Sequence, residues 1–224
     1  MRAAIDATGA QTVVGFLPPL AAGDGLMEAA EAGIRLAISV SEGVQLHDIL
    51  PALALAQLTG MHVIGPNTPG VLIPGRWSVG FLPSDVVRPG PCAVLSRLSR
   101  AGIGQSLWLV VGGDRVKGTR FADVIPQLAD DGVTRSLVLI GEIGGTDEED
   151  AAPLVRELKI PTLAIVAGRH APANRQMGHA GALIAGDSGT YLSKASALRD
   201  AGVTVVSRPS EIPPTIRRML DEPG

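Results

Sequence analysis

SLVLIGEIGGTDEEDAAPLVREL, residues 136–158, decides the fold class. The run SLVLIGE is apolar without alternation, Gly144 and Gly145 make a tight turn, and the remainder is helical in character with acids in its first turn. A strand that is apolar on both faces has to be covered on both faces, as in a parallel sheet flanked by helices. Thr146 or Asp147 caps the helix, and the acids behind it suit the positive end of the helix dipole, which gives them a local role without catalysis. Working outward, the same pattern recurs. It predicts strands over 12–17, 35–40, 61–65, 92–96, 106–112, 136–142, 162–168 and 203–207. It predicts helices over 24–32, 45–59, 119–130, 147–158, 190–201 and 211–221, with Gly33 as a C-cap and Ser210 as an N-cap. The alternation implies an α/β protein with a parallel sheet.

The stretch from Pro66 to Pro91 is rich in Pro and Gly, predicts no helix and at best short extended pieces, and contains the connector, 66–89, between units over 1–65 and 90–224. The first unit supplies only three strands, so its sheet is either completed by another chain or stands as a lean remnant. The 224 residues are 46% apolar and 18% charged, a folded rather than a disordered composition. Aromatics are 3% and the net charge is -3, which argues against nucleic-acid binding, since ring faces and a basic field are both lacking. The single cysteine, Cys92, lies in an apolar strand-like run and reads as a buried small hydrophobe. No apolar run reaches membrane-spanning length and no leader pattern opens the chain, so the expected location is cytoplasmic, away from membranes.

The residues with chemical promise collect behind the predicted strands, where parallel sheets bind ligands. In AGRHAPANRQMGHAGALIAGDSGT, 167–190, His179 stands between Gly178 and Ala180-Gly181. Neighbours with almost no side chain leave the imidazole open to a bulky group such as a phosphoryl; an ordinary exposed histidine is the alternative. Glu142 closes its apolar run. There it either takes the proton of one histidine nitrogen, leaving the other as nucleophile, or simply caps the turn. Gly144 and Gly145 suit amides that face an anion, and Gly112 and Gly113 in VGGDRVKG allow close approach of a phosphate. Neither a P-loop, nor a G-x-G-x-x-G fingerprint, nor a G-x-S-x-G elbow is present. His47, His62, His170 and His179 make no metal-binding pattern, so no metal site is expected.

EAGIRLAISVSEGV (31–44), IGPNTPGVLIPG (64–75), GIGQS (102–106), VGGD (111–114), IGEIGG (140–145) and AGRHAPANRQMGHAGALIAG (167–186) together resemble the alpha subunit of succinyl-CoA synthetase and related nucleoside-diphosphate-forming acyl-CoA ligases. The resemblance covers nearly the whole chain. It implies a partial Rossmann-like CoA-binding-type unit followed by a flavodoxin-like parallel-sheet ligase domain. It implies that His179 is phosphorylated, that Glu142 orients it, and that Gly112, Gly113, Gly144, Gly145, Gly178, Ala180 and Gly181 surround the phosphate. Ser41, Glu42 and Asn67 are the remaining CoA- or acceptor-binding candidates. ATP or GTP with Mg2+ is expected mainly on a beta-like ATP-grasp partner, with a small carboxylic acid as substrate.

Two departures shape the expectation. Residue 1 matches the middle of the family's CoA-binding domain, so a further subunit is expected to supply the other half if CoA is the acceptor; an amine is the alternative acceptor. About one helix of the family pattern is missing between Ser96-Arg97 and Gly104-Gln105. That helix N-terminus would grip the phosphate, and Ser96, Ser99 and Arg100 are the polar groups left there. Two other roles fit the same residues: a catalytically degenerate structural or regulatory subunit of such a complex, and a small-molecule binding module.

Overall fold

The computed structural model describes residues 1–95, 103–171 and 189–221. The elements run α1 (Arg2–Thr8), β1 (Thr12–Gly15), α2 (Pro19–Glu31), β2 (Leu36–Ser39), α3 (Leu46–Thr59), β3 (His62–Ile64), β4 (Gly70–Ile73), β5 (Trp77–Gly80), β6 (Pro89–Leu95), β7 (Gln105–Leu109), α4 (Phe121–Ala129), β8 (Ser136–Glu142), α5 (Asp147–Leu158), β9 (Thr162–Ala167), α6 (Tyr191–Asp200), β10 (Thr204–Val206) and α7 (Ile212–Asp221). They form two compact units, one of Met1–Val71, Val79–Leu82 and Val110–Thr119, the other of Leu72–Ser78, Pro83–Leu109 and Arg120–Gly224. No helix among the described residues is long and apolar enough to cross a membrane.

The first unit is a partial Rossmann-like fold. Its sheet has the order β1-β2-β3, with both pairs parallel, Thr12 opposite Leu36 and Leu36 opposite His62. Helices α2 and α3 lie side by side over a core of Leu26, Ala29, Ile34, Ala37, Ile49, Ala52, Met61 and Val63. They approach closely because Gly23 has no side chain: a Cβ there would sit 2.7 Å from the Asp48 carbonyl oxygen. Helix α2 begins five residues before its predicted start, with Pro19 in its first turn. Gly23 and Gly25 disguise that turn as a loop, although both glycines serve packing. Helix α1 is unforeseen in the sequence because Ile5 is the one side chain it packs against the core.

The second unit is flavodoxin-like, with a mixed sheet whose parallel part carries the ligase-domain strands. The sheet order is β10-β9-β8-β6-β7-β4-β5, and β10/β9, β9/β8, β8/β6 and β6/β7 are parallel pairs. Helices α4, α5 and α6 pack in a row, and α7 lies against β8 and β9 through buried Ile212 and Ile216. Leu137, Leu139 and Leu163 are fully buried, as the unbroken apolar runs require. Cys92 is buried on β6, and burial pushes its thiol up.

One local expectation is filled out and one changes. The short extended pieces of the Pro/Gly-rich stretch are β4 and β5, which form a hairpin in which Gly70 and Gly80 allow the strands to touch; a Cβ at Gly70 would fall 2.1 Å from the Val79 carbonyl oxygen. The strand predicted over 106–112 ends at Leu109. Val110 donates its N–H to Gly70 O at 3.2 Å and the Gly65 N–H donates to Val111 O at 3.1 Å, so this backbone joins the first unit. Long-range hydrogen bonding of this kind overrides a continuous apolar pattern.

Candidate active site

Glu142 is the last residue of β8 and stands in register with Ala167, the last residue of β9. It is half-buried. The Ile143 N–H donates to Ala167 O at 3.1 Å, which keeps the two strand ends together past the sheet. The turn that follows uses Gly144 and Gly145 at φ 92° and 59°, a region that glycine enters without a Cβ penalty. The Gly144 N–H donates to Gly189 O at 2.7 Å, and Gly145 is exposed with open space around it.

The residues 172–188 lie outside the described residues, and with them His179, Gly178, Ala180 and Gly181. Their two flanks are described. One is Ala167 and Gly168 beside Glu142; the other is Gly189, bonded to Gly144 and donating its N–H to Glu149 Oε1 at 3.1 Å. Both flanks of the histidine-bearing stretch therefore meet the chain at the Glu142–Gly144 turn. Ser96, Ser99 and Arg100 also fall outside the described residues.

Beneath the turn lies a pair that the capping explanation of the first-turn acids hides. Glu148 Oε1 accepts the Glu142 N–H at 3.2 Å, and Glu148 Oε2 is paired with the Lys194 ammonium. Lys194 Nζ also donates to Gly144 O at 2.7 Å. Lys194 is 1% exposed and Glu148 4%. Burial pushes the Glu148 carboxyl up from its ordinary value, and the Lys194 charge and hydrogen bond oppose this without cancelling it. A Cβ on Gly141 would lie 1.7 Å from Glu148 Oε1, so the carboxylate fills the space a side chain would take. The acids at the start of α5 thus have more than the expected capping role. Thr146 is the N-cap residue and its hydroxyl turns to Asp150 Oδ2 at 3.0 Å, while Glu148 and Glu149 reach towards α6.

The remaining candidates gather in the first unit. Ser41 is buried and donates its hydroxyl to Leu17 O at 2.6 Å. The Asn67 N–H donates to Ser41 O at 2.8 Å, and the Asn67 side-chain amide donates to Asp114 Oδ1 at 3.1 Å. Asp114, buried and not foreseen, also accepts the Gly43 N–H at 3.1 Å. Glu42 is exposed. The Gly113 N–H donates to Asn67 O at 3.1 Å, and Gly112 at φ 120° lies where a Cβ would be 2.2 Å from Pro66 O. Gly112 and Gly113 therefore stand with Asn67 in one unit, and Glu142, Gly144 and Gly145 belong to the other.

Gly112→Ala is expected to destabilise the fold by at least about 2 kcal/mol, since it adds both a strained φ and a contact with a carbonyl that cannot withdraw. Denaturant unfolding of the variant checks this; an unchanged midpoint would mean that the backbone at Gly112 relaxes freely.

A CoA-ligase family model matches residues 78–204. Succinate–CoA ligase [ADP-forming] subunit alpha 2 of Archaeoglobus fulgidus is 39% identical over 231 residues, covering 98% of this chain and 80% of the relative. The alpha subunit of Aquifex aeolicus is 36% identical over 98% of this chain and 77% of its own length. Among solved structures, ATP citrate lyase from Methanothrix soehngenii in complex with citrate and coenzyme A matches with a TM-score of 0.88 at 27% identity, covering 98% of this chain. This chain spans 40% of that lyase chain.

Proposed function

Because this chain belongs to the succinate–CoA ligase alpha-subunit family, we propose that it is the histidine-bearing subunit of an ATP-dependent carboxylate ligase, with His179 as phosphoryl carrier and Glu142 as its orienting base. The observation that carries this is the meeting of both flanks of the His179 stretch at the Glu142–Gly144 turn. A carboxylate that accepts the proton of one ring nitrogen leaves the other as the nucleophile. That nitrogen forms a bond to the terminal phosphorus of ATP or GTP, and the nucleoside diphosphate leaves. The substrate carboxylate then takes the phosphoryl group, the P–N bond breaks, and an acyl phosphate results. A thiol or amine attacks the acyl carbon and inorganic phosphate departs.

The nucleotide and its Mg2+ are assigned to a beta-like ATP-grasp partner in the cytoplasm, as the family resemblance implies. The relatives' names, alpha subunits of succinate–CoA ligases, support such a partner. Gly145, with Gly178, Ala180 and Gly181, is assigned to the phosphate, together with Gly144. Ser41, Glu42 and Asn67 are assigned to CoA or another acceptor. The substrate is a small carboxylic acid.

Terminally labelled ATP with Mg2+, added to the chain with its co-purifying partner, tests the proposal through acid-labile, base-stable label on His179. An ATP-binding complex that leaves this chain unlabelled would point instead to a structural or regulatory subunit. Glu142→Gln is expected to slow labelling about 10- to 100-fold by misorienting the imidazole. Rapid-quench labelling checks this, and an unchanged rate removes Glu142 from the role.

A further inference from the structure

The same two helices that bury the Lys194–Glu148 pair also hold the turn on which Glu142 sits and the described end of the His179 stretch. From that juxtaposition we infer that Lys194 and Glu148 are positioning residues, which set the Glu142–Gly144 turn and with it the place of the Glu142 carboxylate at the end of β8. This rests on the phosphohistidine function proposed above.

A buried ion pair stabilises little over a well-packed apolar pair of the same volume, because desolvating two charges offsets their attraction. An apolar pair, however, offers no directional bonds. Here each charged group has a second, backbone partner on the turn: Glu148 Oε1 takes the Glu142 N–H at 3.2 Å, and Lys194 Nζ gives a proton to Gly144 O at 2.7 Å. The Gly144 N–H is in turn held by Gly189 O at 2.7 Å. The neighbouring residues on the two helices repeat the device one position along. Glu149 Oε1 accepts from the Gly189 N–H at 3.1 Å and from the Ser193 hydroxyl at 2.8 Å. Residues 148 and 149 of α5 and 193 and 194 of α6 thus tie together the strand end, the glycine turn and Gly189. Catalytic groups need positions held to about 0.5 Å, and buried hydrogen bonds from rigid helices supply that.

The test is the Lys194→Met/Glu148→Leu double variant in complex with its partner. It removes both ties to the turn without leaving an unpaired buried charge. The thermal midpoint should stay near the parent's. The Glu142 and Gly144 amides should exchange hydrogen about 10 times faster or more, and His179 labelling should slow about 10-fold or more at unchanged KM for ATP. Adding Glu142→Gln to the double variant should cost little more, since a misplaced carboxylate has little left to lose. If the double variant does not fold, the Lys194→Met/Glu148→Met pair, closer in volume to the parent, takes its place, read by the same exchange and labelling rates.

A folded variant with parental exchange overturns the inference, and so does faster exchange at an unchanged labelling rate. If the parent complex never labels His179, the phosphohistidine function fails. The exchange rates then decide the pair alone: unchanged exchange overturns it, and faster exchange upholds it as the device that sets the turn.

Discussion

Alanine at position 179 is expected to remove acid-labile phosphate from this chain entirely and to lower ligase turnover by about 10,000-fold or more, with the complex still assembled. Loss of a covalent carrier deletes a whole step rather than one interaction in it, so no neighbouring group compensates by degrees. His179 sits in a run of Gly and Ala, which offers it few core contacts by composition, and assembly should therefore survive. Quenched-flow labelling beside size-exclusion of the complex separates the two effects. Full turnover in the variant would end the assignment of His179. Loss of assembly would give the histidine a structural place instead.

Lys194→Met should destabilise the protein by about 3–5 kcal/mol, because it strands the buried Glu148 carboxylate without its cation. For a domain of this size that is a fall in melting temperature on the order of 10 °C. The carboxyl is already pushed up by burial, and removing the ammonium takes away the charge that opposes this. An acid raised in the folded state destabilises folding above its unfolded pKa and does so most once pH exceeds the folded value. The loss in Lys194→Met should therefore be smaller at acid pH, where Glu148 is protonated in both states, and larger at neutral pH. Thermal melts of parent and variant across that range check the sign. A deficit that is constant with pH would mean that the Glu148 charge is not what the lysine supports.

Much of this could have been seen in the residue pattern. Lys194 lies one turn from Leu198 and beside Ala195, both on the buried stripe of α6, and Glu148 lies in line with Ala151, Ala152 and Val155 on α5. A base and an acid on the core-facing stripes of consecutive helices have to neutralise each other, and that signal was available. The acids of the first turn masked it, because four carboxylates at a helix N-terminus have a sufficient dipole explanation. Asp114 carried no such signal. VGGD reads as a strand-end turn, and only the departure of Val110 and Val111 from the sheet brings its carboxylate to Gly43 and Asn67.

The sequence by itself determined the α/β class, the buried parallel strands, the helices of the second unit to within about two residues, and Glu142 as the carboxylate at a strand end. These follow from unbroken apolar runs, from the 3.6-residue helix period and from turn chemistry, which act between near neighbours. Only the tertiary structure decided that the backbone after β7 joins the first unit, that Asn67 meets Asp114, and that Glu148 turns inward to Lys194. Those partners are 47 and 46 residues apart along the chain. Whether such residues meet depends on strand order and helix packing, and the choice of partner is made by the cost of burying a polar group alone.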